Sequence, residues 1–347
     1  MKYHLAMHKV STLVCPLRFT DHLELLDQRA LPNREVWLEV RDADHAVRLI
    51  RSLAVRGAPV IGLAAAYALA VEARLRPELA SLQRAASRLA KARPTATNLA
   101  RAVAEVMAIV AETPEASRFE VALASARAQH RADEAACLAI AGFGAELFPG
   151  PRVTLLTHCN AGALATGGVG TALGSVRQLH AEGRLAGLYA CEARPVLQGA
   201  RLTAWECVRD GILVTLLPDH AAAGLLASGA VNGVVLGADR IAADGSVANK
   251  VGTYALALGA AAGGVPFVSA APTSTFDLSC ASGRDIVIEQ RSSAEVTRLG
   301  RRRIAPEGVA VFNPAFDVTP PHLLTAVVSE RGVARPVTGD TIRMIAS

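Results

Sequence analysis

The pattern of apolar and polar positions changes character once along the chain. Up to about residue 148 it is mostly helical, after an opening in which Leu23–Leu26 and Val36–Val40 read as short strands. From Asp42 to Leu53 the apolar positions Ala46, Leu49, Ile50 and Leu53 fall on one helical face. A second helix is predicted to start at Ala58–Pro59, because proline suits a first turn, and to run through an alanine-rich stretch to Leu75. Pro77 and Pro94 punctuate two further helical segments, and Pro114 precedes a long one from Glu115 to about Phe148. Beyond Pro149-Gly150-Pro151 the pattern alternates. Short β-rich runs at Val153–Thr157, Gly187–Cys191, Ile212–Leu217, Val231–Gly237 and Pro266–Ala270 are separated by helical segments. That order predicts an α/β fold with a parallel, doubly wound sheet. A chain of 347 residues suits two domains, and the composition shift places them at 1–148, mostly helical, and 149–347.

Composition narrows the class. Half of the residues are apolar but only 4% are aromatic, so Ala, Val and Leu must supply most of the core. No uncharged apolar stretch reaches the roughly 18 residues of a membrane span, and Met1 to Arg18 lacks the apolar core of a signal peptide. Cys15, Cys137, Cys159, Cys191, Cys207 and Cys280 form no C-x-x-C pair and no zinc-like grouping. The expectation is a reduced, cytoplasmic protein without a bound metal. The net charge of +5 is spread as scattered arginines with no basic block, so neither nucleic acid nor membrane is an expected partner.

Gly168-Val169-Gly170, between a strand and a helix, is a weak dinucleotide fingerprint. About ten residues separate it from the strand end at Thr157, whereas a dinucleotide-binding turn follows its strand directly. A tight helix entry explains the glycines as well.

Ligands of open α/β sheets bind beyond the carboxyl ends of the strands. Two such ends carry reactive groups. One strand leads into His158-Cys159-Asn160-Ala161-Gly162, the other into Asp239-Arg240. A thiol and a carboxyl facing one pocket can move protons, the thiol as base and the carboxyl as acid. Each also has a plain structural reading: a small buried apolar side chain for the cysteine, a helix cap for the aspartate. Arg56-Gly57-Ala58-Pro59 places a guanidinium where backbone N–H groups are open at a helix start, which favours phosphate. Asn249-Lys250 precedes another helix, and Lys250 is one of only four lysines. Surface charge is the alternative for both segments.

Longer segments then carry a resemblance. They are Arg56–Gly62, Arg93-Pro94-Thr95-Ala96-Thr97-Asn98-Leu99, Thr157–Thr166, Arg194-Pro195, Leu197–Thr203, Gly237–Ala242, Val247–Thr253, Ala271–Asp277 and Asn313–Pro320. In this order they resemble the methylthioribose-1-phosphate isomerase family of methionine salvage, which is related to the regulatory subunits of translation initiation exchange factor two B. The resemblance spans roughly Leu25 to Val333. It implies a homodimer with a Rossmann-like C-terminal domain, a small sugar phosphate as substrate and no metal or organic cofactor. It carries the active-site cysteine onto Cys159 and the acid onto Asp239. Substrate binding falls on Arg56, Gly57, Ala58, Arg93, Gln198, Asn249 and Lys250.

Three departures stand out. Ala193 replaces a usual Thr or Ser, Leu217-Pro218-Asp219-His220 replaces a usual T-D pair, and the first twenty residues lack a common tryptophan segment. The implied reaction is the aldose–ketose isomerisation of 5-methylthioribose 1-phosphate, with Cys159 as base or as support for a hydride shift. The alternatives are isomerisation of 5-deoxyribose 1-phosphate or ribose 1,5-bisphosphate, and a non-enzymatic regulatory subunit, for which the Cys159–Asp239 pair has no use.

Overall fold

The computed structural model describes residues 14–93 and 97–346. Residues 1–13 of the atypical N-terminus, and Pro94, Thr95 and Ala96 of the arginine–proline motif, lie outside the described residues. The chain opens with an antiparallel sheet of β1 (Leu17–Phe19), β2 (Leu23–Leu26) and β3 (Trp37–Glu39). One more strand forms here than the two expected.

Five helices follow: α1 (Ala43–Arg51), α2 (Ala58–Leu75), α3 (Leu79–Ala90), α4 (Thr97–Ala111) and α5 (Arg118–Glu146). Asp42 caps α1 by accepting the N–H of His45 at 2.6 Å, which explains where that helix starts. Helix α2 is long and apolar enough by composition to cross a bilayer, but 78% of it is buried, as a core helix is. Ala64, Ala65, Ala66, Ala68 and Ala70 are completely buried, so short side chains let its neighbours approach closely.

The rest is built around a seven-stranded sheet in the order β16-β15-β10-β7-β4-β5-β6. Its strands are β4 (Val153–Thr157), β5 (Leu185–Cys191), β6 (Val214–Leu217), β7 (Gly233–Leu236), β10 (Phe267–Ala270), β15 (Ala326–Ser329) and β16 (Gly332–Ala334). All neighbours are parallel except β15 and β16. The five expected strands are all present: β4 has the expected bounds, β5 begins two residues earlier, and β6, β7 and β10 are shorter. The last two have no counterpart in the expectation.

Between the parallel strands run α6 (Ala172–Ala181), α7 (Ala204–Arg209), α8 (Ala222–Ala227) and α9 (Thr253–Ala262). Along β4, Leu155 packs into the core on one face and Leu156 into the core on the other, the period of two that a sheet covered on both sides requires. Helix α5 joins the layers: Ala122, Leu123 and Ala126 pack with α2, and Ile140 and Ala145 pack under the sheet.

A smaller sheet, β11-β8-β9-β14, flanks the large one and was not anticipated. It contains β8 (Arg240–Ala242), β9 (Val247–Lys250), β11 (Phe276–Asp277) and β14 (Phe316–Thr319). A two-stranded hairpin, β12 (Arg298–Leu299) and β13 (Arg302–Arg303), follows the single turn α10 (Ala294–Thr297), and α11 (Gly339–Ala346) closes the chain.

Candidate active site

Strand β4 lies between β5, which follows it in the chain, and β7, where the chain returns to extend the sheet the other way. The carboxyl ends of β4 and β7 therefore flank the point where strand order reverses, the place where open α/β sheets hold ligands. Cys159 follows β4, and Asp239 follows β7.

Both line one cavity of about 840 Å³, counting its open mouth. All nine residues singled out from the sequence are in its wall: Cys159, Asp239, Arg56, Gly57, Ala58, Arg93, Gln198, Asn249 and Lys250. They come from both sides of Pro149–Pro151.

Cys159 has φ of 60°, a left-handed conformation uncommon outside glycine and held only where surroundings enforce it. Its thiol keeps a face to the cavity and is otherwise enclosed by protein. Burial pushes it above the ordinary thiol range, Arg56 and Lys250 pull it down, and Asp239 pushes it up. The net upward shift favours the thiol over the thiolate.

Asp239 is followed by a strand, so the helix-cap reading does not apply. Burial raises its carboxyl to about 6 against the pull of Arg93, Lys250 and Arg56. Arg240, which would oppose this, points elsewhere and pairs with Asp277 at 3.4 Å.

The cations differ in how they are engaged. Arg56 is buried, with Nε donating to Gln28 at 3.0 Å, Nη1 to the Asn160 carbonyl at 2.9 Å and Nη2 to the Asn160 side chain. Arg93 pairs with Glu289 at 3.2 Å, while its Nε is buried without a partner among the described residues. Lys250 is buried at the end of β9, and its ammonium has no hydrogen-bond or ion-pair partner among the described residues. Gln198 Oε1 is another buried polar atom without a partner. Such groups cost free energy unless a ligand satisfies them.

Gly57 stands at φ of 113°, and a Cβ on it would lie 2.6 Å from Ala165, so only glycine lets α2 begin against the cysteine loop. No side chain caps α2, and its start opens into the cavity. The helix after Lys250 behaves differently. Asp317 accepts the N–H groups of Gly252 at 2.7 Å and Tyr254 at 3.0 Å, so the start of α9 already holds an anion. In that segment the Lys250 ammonium is the group left to meet an anion in the cavity.

Ala193 is completely buried, has φ of 63°, and is absent from the cavity wall. Its N–H donates to Asp219 at 2.8 Å, and that of Arg194 to the other Asp219 oxygen at 2.7 Å. Two of the unusual segments thus brace each other behind the site. His158, Cys191 and Asp219 bring metal-capable atoms within 4.8 Å of one another, but both Asp219 oxygens are occupied by this brace.

The glycines of the weak dinucleotide fingerprint serve packing. A Cβ on Gly168 would lie 3.0 Å from Glu134 of α5, and one on Gly170 would lie 2.5 Å from Gly162. Sequence reasoning missed Asn160 and Arg291 in the wall, although Asn160 lay inside a quoted motif. Arg291 had no local signal; Glu289 holds it at 2.9 Å beside Arg93.

The profile of the initiation factor 2 subunit family matches residues 54–336. The chain belongs to that family. Within it, a relative from Anaeromyxobacter sp. (strain K), named methylthioribose-1-phosphate isomerase, is 56% identical over 315 residues, which cover 91% of each chain. The crystal structure of 5-methylthioribose 1-phosphate isomerase from Pyrococcus horikoshii OT3 superposes with a TM-score of 0.92 at 38% identity, covering 99% of both chains. A structure described as translation initiation factor eIF-2B, subunit delta, from A. fulgidus is also 38% identical, with a TM-score of 0.84, covering 95% of this chain and 99% of that one. The fold carries both an isomerase name and a translation-factor name, but the isomerase name reaches 56% identity and the translation-factor name 38%.

Proposed function

We propose that the protein is an aldose–ketose isomerase that converts 5-methylthioribose 1-phosphate to 5-methylthioribulose 1-phosphate in methionine salvage. One observation carries the reading. A carboxyl raised to about 6, a thiol, the Lys250 ammonium and two buried polar atoms without a partner among the described residues, on Arg93 and Gln198, converge on one cavity. A scaffold subunit has no use for that arrangement, and its cost in stability has no structural return.

The phosphate ester at C1 keeps the sugar ring closed. Protonated Asp239 delivers its proton to the ring oxygen as the bond from C1 to that oxygen breaks. The hydrogen on C2 then moves to C1. In one route Cys159, as its thiolate, takes it as a proton and returns it to C1, while the C2 hydroxyl gives up its proton to Asp239. In the other it passes as hydride while the C2 hydroxyl loses its proton, with Cys159 flanking the path. Lys250, Arg93 and the open start of α2 attract the phosphate, and Gln198 Oε1 accepts from a sugar hydroxyl.

The reading includes a division into domains at Pro149–Pro151, a cytoplasmic location and a homodimer. Val208, Leu213 and Leu216 are exposed in and beside the edge strand β6, where a second copy would cover them; light scattering at a monomer mass would remove the dimer.

The deciding experiment compares kcat/KM for 5-methylthioribose 1-phosphate, 5-deoxyribose 1-phosphate and ribose 1,5-bisphosphate. The methylthio sugar is expected to be preferred, and a larger value for either rival would reassign the substrate. Lys250→Met keeps the stem and removes the charge. A charged hydrogen bond is worth about 1.5–3 kcal/mol, so KM should rise about 10- to 100-fold. The thermal midpoint without ligand should change little, because the ammonium makes no hydrogen bond or ion pair among the described residues and acts on Asp239 and Cys159 only at longer range. An unchanged KM would take Lys250 out of the phosphate site.

A further inference from the structure

Glu206 lies on α7, outside the cavity wall and 2% exposed, yet four donors converge on its carboxylate. Oε1 accepts from Asn160 Nδ2 at 2.8 Å and from the N–H of Leu164 at 3.2 Å. Oε2 accepts from the N–H of Ala163 and from Arg177 Nη2, each at 2.8 Å. Three of the four donors belong to the loop that begins at Cys159. Asn160 in turn accepts two bonds from Arg56, and Thr203, one turn before Glu206, donates to the Cys159 carbonyl at 2.5 Å. Gly162 sits against the same carboxylate: a Cβ there would lie 2.3 Å from Oε2. The chain between β5 and α7 makes a π-helical turn at Gly199–Thr203, a local irregularity common beside functional sites.

We propose that Glu206 is a positioning residue that fixes, through Asn160 and the backbone of Ala163 and Leu164, where the Cys159 thiol and the Arg56 guanidinium meet the substrate. The inference rests on the isomerase reading for its kinetic consequence, but its effect on the thiol does not. Glu206 touches no reacting atom. Its charge balances Arg56 at the centre of the loop, along with Cys159 and Asp239, while Arg201 opposes. Cys159 itself is faced by Arg56, Lys250 and Asp239. Removing the negative charge of Glu206 leaves the field of Arg56 less balanced, which favours the thiolate. Loosening the loop admits water and acts in the same direction.

The test is Glu206→Gln, in which an amide NH2 replaces one acceptor and meets donors already in place. Asp210→Asn is the control. Asp210 also binds Arg177, at 2.5 Å, but makes no side-chain hydrogen bond to the cysteine loop among the described residues. In Glu206→Gln, kcat should fall about 10- to 100-fold with KM within about threefold, the size expected when catalytic groups shift by about an ångström. Alkylation of Cys159 by iodoacetamide, followed on its own peptide by mass spectrometry, should reach half-maximal rate at lower pH than in the wild type. Asp210→Asn should lose thermal stability without either change. Gly162→Ala presses on the carboxylate from the loop side and should reproduce both effects if Glu206→Gln does not fold. A wild-type alkylation profile in the folded variants overturns the proposal, as does a kcat loss equalled by Asp210→Asn. A shifted alkylation profile in Glu206→Gln, together with a wild type that turns over no sugar phosphate, would instead uphold the positioning and overturn the isomerase reading.

Discussion

Asp239→Asn should lose about 100- to 10,000-fold in kcat while gaining stability at neutral pH. The amide has nearly the same shape but cannot deliver a proton to the ring oxygen, and a general acid contributes on that order. The stability gain follows from linkage. Burial raises the folded-state carboxyl from 3.8 to about 6. Between those values the native state holds a proton that the unfolded chain has released, so stability falls as pH rises through that window. Above pH 6 the cost is fully present and is on the order of 3 kcal/mol. The neutral amide removes it. Thermal melts of both proteins at pH 5 and pH 8 should show the variant's advantage growing with pH. The same group should give the wild-type kcat/KM an alkaline limb near pH 6 that the variant lacks. A variant with near wild-type kcat, or melting curves that keep their separation across pH, would remove Asp239 as the acid.

Cys159→Ser should be impaired on the same scale, about 100- to 10,000-fold in kcat, with little change in KM. A hydroxyl is a far weaker acid than a thiol, so serine supplies no anion at any pH the fold tolerates. The buried thiol is itself held above its usual range, and the same enclosure would act more strongly on a hydroxyl. Retention of near wild-type turnover would exclude proton abstraction by the side chain. The wild-type reaction run in D2O separates the two routes. Deuterium at C1 of the product marks abstraction and return of a proton by a group that exchanges with solvent, whereas direct passage from C2 leaves C1 without it.

The sheet was legible because its central strands obey simple rules. Val153–Thr157 and Val231–Gly237 are short apolar runs ended by polar residues, as strands buried on both faces must be. The site was legible for a related reason: the residues after such strands fall at one edge, so Cys159 and Asp239 could be placed together without a model of the loops. The smaller sheet was not legible. Its strands are two to four residues long and pair with distant partners, such as Lys250 with Phe316, so no local period announces them. Asp317 reaches the start of the helix after Lys250 from a strand 67 positions further on, and no local pattern announces it either. Glu206 was hidden because a single carboxylate in a short helix looks like solvent-facing charge. Only the fold shows that Arg177 and the cysteine loop enclose it.

The most direct test is proton NMR of purified protein with 5-methylthioribose 1-phosphate, with Asp239→Asn run beside it at equal concentration. The expected result is loss of the anomeric signal and appearance of the C1 methylene of 5-methylthioribulose 1-phosphate with the wild type, and at least about 100-fold slower conversion with the variant. An unchanged substrate spectrum with folded wild-type protein would contradict the account.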